Sequence, residues 1–172
     1  MILAVTDSLA GGLRATELGA THLLLRNPAL STNQQYHVLL RLVEATSLPV
    51  LARGRPDLAL TTGAAGVNLP EGDIGAVAAR ELLGPGPLVG QSAHSVSDAL
   101  AAASGPVDFV ILGPVFPTPS HPGQAGLGLD AIAEAARQAR APILAIGGLD
   151  RERGEACLAV GAGGFAAVRM FH

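Results

Sequence analysis

Ile143-Leu144-Ala145-Ile146-Gly147-Gly148-Leu149-Asp150 reads as a short apolar strand, a glycine turn and the start of a helix. A run of apolar residues without alternation suits a parallel strand buried on both faces. The following helix runs to about Val160, and Gly161-Ala162-Gly163-Gly164 supplies the glycines favoured past a helix C-terminus. A second apolar run, Phe165–Arg169, comes next. This strand–helix–strand unit sets the rhythm for the rest.

Working back towards the N-terminus, further strands are predicted at Ile2–Thr6, His22–Arg26, Pro49–Arg53, Gly66–Leu69, Leu88–Ser92 and Asp108–Val115. Helices are predicted between them at Thr32–Thr46, Asp73–Leu83, Ser95–Ala103 and Leu129–Ala139. The first carries Tyr36, Leu39, Leu40 and Val43 at helical spacing, with Ser31 or Thr32 as its N-cap. Eight strand candidates alternating with helices argue for a compact (β/α)8 TIM barrel, one domain over residues 1–172. An open doubly wound sheet fits less well, because no Gly-rich turn follows the first strand. The last strand is followed by almost no sequence, so the final helix is expected to be missing. The resulting apolar groove would be covered by a second copy in a homo-oligomer, or by a neighbouring helix.

Composition narrows the function classes. Hydrophobic residues make up 49% and charged residues 15%, enough to build a core. No run approaches the roughly 18–20 apolar residues of a membrane span. The N-terminus lacks the pattern of a signal peptide, so a cytoplasmic location is expected. A net charge of −3 and 3% aromatics leave neither a basic stripe nor a stacking platform for nucleic acid. Cys157 is the lone cysteine, which excludes a disulfide framework, and its apolar helical setting suits a small core residue. All eleven basic residues are arginine. Any anion must therefore be held by arginine, by backbone N–H groups or by a metal.

In this fold chemistry sits at the C-terminal ends of the strands. Gly147 and Gly148 follow the seventh strand, while Val168 and Arg169 close the eighth. Glycines let backbone N–H groups approach an anion, and the next helix N-terminus adds positive potential, so a phosphate site is expected here. His94 follows the fifth strand and His121 lies in the loop after the sixth, where either could exchange a proton with a ligand. His22 falls at the opposite end and His37 inside a helix, both structural or solvated, and His172 is terminal. Arg26 and Arg53 end the second and third strands and could pair with a carboxylate or phosphate, whereas Arg55 suits a surface ion pair. Asp7 and Asp73 also lie near strand ends, where Asp73 serves equally well as a helix cap.

Several stretches carry a family resemblance. They are Val5-Thr6-Asp7, Asp57-Leu58-Ala59-Leu60, Gly66-Val67-Asn68-Leu69-Pro70, Ser92-Ala93-His94-Ser95, Leu112-Gly113-Pro114-Val115-Phe116-Pro117-Thr118 and Ala145-Ile146-Gly147-Gly148. In this order they resemble the thiamine phosphate synthase family, including its thiazole tautomerase (TenI-like) branch. The resemblance implies a (β/α)8 barrel with a thiazole phosphate at the last strands, and it adds Ser92 and Thr118 to the substrate-binding positions.

The synthase it implies joins hydroxymethylpyrimidine diphosphate to thiazole phosphate, using magnesium and basic residues on the diphosphate. Here the family's Gln-Leu-Arg-Glu-Lys becomes Leu24-Leu25-Arg26-Asn27-Pro28, and its metal-binding Asn-Asp becomes Arg53-Gly54. Its second carboxylate matches Asp73, while its Thr-x-Thr-Lys becomes Thr118-Pro119-Ser120-His121. Fewer cations would face the leaving group. Gly54-Arg55 and Leu69-Pro70-Glu71-Gly72 resemble the tautomerase branch, although that branch's catalytic histidine is replaced by Pro114.

The leading expectation is therefore a tautomerase-like isomerase needing no metal or other cofactor. Gly147, Gly148 and Arg169 would hold phosphate, Arg26 or Arg53 a carboxylate, and His94 or His121 would carry the proton. The alternatives are a magnesium-dependent synthase, and a non-catalytic or regulatory thiazole phosphate-binding protein.

Overall fold

A computed structural model describes residues 1–118, 123 and 125–171. Among them, eight parallel strands alternate with seven α-helices. They are β1 (Ile2–Thr6), α1 (Leu9–Glu17), β2 (His22–Leu25), α2 (Thr32–Ala45), β3 (Val50–Arg53), α3 (Pro56–Thr62), β4 (Gly66–Leu69) and α4 (Ala76–Leu83). The second half holds β5 (Leu88–Ala93), α5 (Val96–Ala103), β6 (Phe109–Leu112), α6 (Gly128–Gln138), β7 (Ile143–Ile146), α7 (Arg151–Ala159) and β8 (Gly164–Ala167). The strands close into a barrel in sequence order, with β8 pairing β1. The compact TIM barrel expected from the sequence is the fold.

Local chemistry starts the helices where it should. Ser8, Ser95 and Asp150 accept hydrogen bonds from the backbone N–H groups three residues on. Ser31 forms a full capping box with Gln34. Such caps are each worth about 0.5–2 kcal/mol. The α4 region departs from expectation. Its helix begins at Ala76 rather than Asp73, behind Gly75, and Asp73 instead accepts from the Ile74 N–H at 2.8 Å.

The barrel interior is filled by a cluster that includes Leu3, Val5, Leu24, Leu51, Phe109, Ile111, Leu144 and Ala166. Phe109 reaches the centre because Gly90, its register partner on β5, has no side chain. A Cβ there would lie 2.2 Å from the ring. Two outer clusters seal the strands to the helices, one under α1–α4 and the other under α5–α7. Cys157 is fully buried in the second, as its setting predicts, and burial pushes its thiol pKa up.

Strand ends differ from expectation where the chain turns into loops. β6 stops at Leu112, before the cis Gly113–Pro114 peptide. β8 stops at Ala167, so Arg169 belongs to a 3-10 turn, Arg169–Phe171, rather than to the strand. No α-helix follows β8 among the described residues. Phe171 is buried against the α1–α4 side instead, and Met170 packs against both outer clusters.

Candidate active site

The C-terminal ends of the strands open on a cavity of about 480 Å³. It draws on both sides of the barrel mouth: Arg26 and Arg53 from β2 and β3, Ser92 and His94 at the end of β5, and Thr118 beyond β6. Gly147, Gly148, Val168 and Arg169 complete it from β7 and β8. Those nine expected site residues therefore share one hollow of a size typical for a small-molecule ligand. His121 and His172 lie outside the described residues.

The β7–β8 side is built from backbone. Gly147 and Gly148 take φ of +100° and +66°, conformations that glycine alone adopts without strain. Packing makes the same demand. A Cβ on Gly147 would lie 2.6 Å from Pro114 Cα, and one on Gly148 would lie 2.7 Å from the Pro117 carbonyl oxygen. Among the described residues, no acceptor takes the N–H groups of Gly147, Gly148, Val168 or Arg169. They remain available to an anion. Arg153 fixes this loop from behind. Its Nη1 donates to the Gly148 carbonyl at 2.7 Å, and its guanidinium lies 4.9 Å from the Phe116 ring centroid. Nothing in the residue's sequence context distinguishes it from an ordinary exposed helix arginine.

Side chains build the β2–β3 side. Arg26 and Arg53 project from neighbouring strand ends, and neither guanidinium has a hydrogen bond or an ion pair within 4.0 Å among the described residues. The cavity walls partly desolvate Arg53, lowering its pKa. The Arg26 charge lowers it further, and Asp73 opposes both from longer range. Two adjacent unpaired guanidiniums create a field that favours an anion with several charges. Arg55 behaves differently, as expected. It holds Asp57 through bonds of 2.6 and 2.8 Å and Thr32 at 3.0 Å, pointing away from the cavity residues.

Between the two sides lie groups that the sequence left unassigned. Asn68 is only 1% exposed, and its Nδ2 donates to Ser92 Oγ at 3.0 Å. Since Ser92 Oγ accepts that bond, its own hydrogen is available to a ligand. Asn68 Oδ1 has no partner among the described residues. Glu71 Oε2 lies 3.5 Å from His94 Nε2, while His94 Nδ1 is 2.9 Å from the Gly113 carbonyl. A carbonyl only accepts, so Nδ1 carries a hydrogen and Nε2 is the ring nitrogen that faces Glu71. Pro114 lines the cavity and offers no proton-carrying atom.

A smaller hollow of about 390 Å³ adjoins the first and contains Asp7, while Arg26, Val168 and Arg169 line both. Among the described residues no group of three His, Cys, Asp or Glu side chains is placed to hold a metal. Among the described residues, no helix is long and apolar enough to cross a membrane.

The model of the family described as thiamine monophosphate synthase (TMP-TENI) matches residues 4–171. The chain belongs to this family. A thiamine-phosphate synthase of Chlorobium luteolum is 37% identical over 163 residues, covering 90% of this chain and 75% of that protein. A thiamine-phosphate synthase of Azorhizobium caulinodans is 32% identical over 170 residues, covering 98% and 78%. The thiamine phosphate pyrophosphorylase structure from Pyrococcus furiosus superposes with a TM-score of 0.87 at 27% identity, covering 97% of this chain and 84% of that one.

These relatives correct the preference for a tautomerase-like isomerase, because their names describe a synthase, a transferase. The physical reason for the error is visible in the mouth. Each motif taken singly shows lost cations, whereas the fold sets Arg53 beside Arg26 along one edge of the mouth.

Proposed function

We propose that this chain joins a hydroxymethylpyrimidine diphosphate to a thiazole phosphate, forming thiamine phosphate and releasing diphosphate. One observation carries the reading: a single cavity presents backbone N–H groups at β7–β8 and two neighbouring guanidiniums at β2–β3. A reaction between two phosphorylated substrates needs both. The Gly147–Gly148 turn with the N–H groups of Val168 and Arg169 would hold the thiazole phosphate. Arg26 and Arg53 would hold the diphosphate, directing its ester carbon towards the cavity centre. The thiazole ring nitrogen then attacks the pyrimidine methylene carbon. As that C–N bond forms, the C–O bond breaks and its electron pair departs on the diphosphate.

Negative charge grows on the leaving oxygen, so the donors facing it stabilise the transition state more than the bound substrate. Ser92 Oγ–H, ordered by Asn68, and Thr118 line the space between the two anions. His94, oriented by its Nδ1 contact to Gly113, lines the same cavity beside them.

The resemblance implies magnesium on the diphosphate, and the residues present do not fit it well. Asp73 has one oxygen on the Ile74 N–H and the other packed over Gly54, 2.8 Å from the site of a Cβ. Glu71 faces His94. The neighbouring strand ends supply two guanidiniums rather than carboxylates. No step is therefore drawn through the ion.

The test is to incubate the full chain with both substrates, once in EDTA and once with magnesium. Thiamine phosphate and diphosphate should appear one for one by mass spectrometry. No product above buffer in either condition would overturn the reading.

A further inference from the structure

We infer that Arg53, together with Arg26, takes the place of a divalent cation as the counter-charge to the leaving diphosphate, so that this site binds diphosphate without metal. The inference rests on the coupling reaction proposed above and adds what neutralises its leaving group. Two guanidiniums on neighbouring strand ends supply two fixed positive charges, the charge of one magnesium ion. Each also presents N–H donors in a planar fork that matches phosphate oxygens.

Magnesium needs near-octahedral oxygen ligands, usually one or two carboxylates with water and substrate phosphate. The carboxylate available at this edge, Asp73, is engaged by the Ile74 N–H and sits against Gly54, within the field of Arg53. A dication placed there would meet two guanidiniums whose mutual repulsion Asp73 only partly offsets. A diphosphate placed there relieves it. The same geometry that disfavours the metal favours the bare anion.

The test is calorimetric titration of the full chain with inorganic pyrophosphate, in EDTA and then with excess magnesium. Pyrophosphate should bind in EDTA, with magnesium leaving the affinity unchanged or lowering it by competing for the ligand in solution. Arg53→Met should weaken metal-free binding at least about tenfold, the scale of one lost charge-assisted bond. Asp73→Asn should leave it within about threefold, whereas a metal-mediated site would lose its ligand.

Inorganic phosphate binding at the glycine turn is the folding control and should be retained by both variants. Heat appearing only with magnesium, or an unchanged affinity in Arg53→Met, would overturn the inference. Metal-free pyrophosphate binding without coupling would uphold this site and sink the coupling reaction. Coupling that demands magnesium would do the reverse.

Discussion

The two sides of the barrel mouth offer hydrogen-bond donors of different kinds. At β7–β8 the contacts are backbone N–H groups, placed by two glycines in left-handed conformations and locked against Pro114 and Pro117. At β2–β3 the contacts are the flexible ends of Arg26 and Arg53. Backbone cannot be substituted away one donor at a time, so the first site is lost mainly by breaking the turn. The second is built from separable charges, each of which can be gained or lost by one substitution. The difference predicts where function is robust: the phosphate turn should tolerate salt and resist drift, while the arginine edge should tune the chemistry.

The sharpest way to break this comparison is Gly148→Val. The φ of +66° is strained for a β-branched residue, and the new Cβ would meet both the Pro117 carbonyl and Phe116. The turn must open, withdrawing several N–H groups at once. Thiazole phosphate affinity, measured by calorimetry, should fall by at least about 100-fold, as expected when two or more charge-assisted bonds go together. Pyrophosphate affinity at the arginine edge should stay within about threefold, since neither Arg26 nor Arg53 is bonded to the turn among the described residues. A parallel loss of both would show that the two sides form one site.

Arg26→Met addresses the other side and removes a single cation. The coupling rate should fall about 10- to 100-fold, with thiazole phosphate affinity unchanged. Salt should then distinguish the sides further. Partly exposed guanidiniums are screened, so pyrophosphate binding should weaken more steeply with ionic strength than phosphate binding at the glycine turn.

A smaller effect is expected at Arg153, which touches no ligand and acts through the Gly148 carbonyl. In Arg153→Met the turn loses its clamp and its cation over Phe116, contacts worth about 1–2 kcal/mol together. KM for the thiazole phosphate should rise about fivefold to tenfold while kcat holds, because the turn loosens before the chemistry begins. Arg153→Lys should rescue only partly, since an ammonium lacks the planar face that stacks on the ring. A fall in kcat alone would assign Arg153 a different role.

Much of the barrel could be read directly. Continuous apolar runs such as Ile143–Ile146 follow from burial on both faces, and the serine and aspartate caps mark helix starts at Ser31, Ser95 and Asp150. Strand ends near glycine and proline were overextended, as at Val115 and Arg169, because apolarity continues past the last ladder bond. The backbone site was legible since paired glycines announce left-handed turns.

The side-chain network was less so. Asn68 and Glu71 meet Ser92 and His94 far along the chain, Arg153 stacks on the distant Phe116, and only the folded barrel sets Asn68 against Ser92 or Arg53 beside Arg26. In the motif, Arg53-Gly54 stands where the family has Asn-Asp, so the carboxylate is lost at Gly54 and Arg53 replaces the asparagine. In the fold Arg53 stands as a gained cation.

The smallest predicted effect lies at the opposite end of the barrel and separates folding from function. Burial lowers the His22 pKa below 6.5, with the N-terminal ammonium adding to the shift. The unfolded chain then binds the His22 proton more tightly than the folded one. Stability from this group is full above about pH 6.5, declines as pH falls through that value, and levels off below the folded pKa. Because His22 is only partly buried, the loss should stay under about 1 kcal/mol. Denaturant midpoints of His22→Gln and the unaltered chain, compared between pH 5 and 8, should converge at low pH and separate at high pH, or simply run with different slopes. An identical slope for both would remove His22 from the pH response.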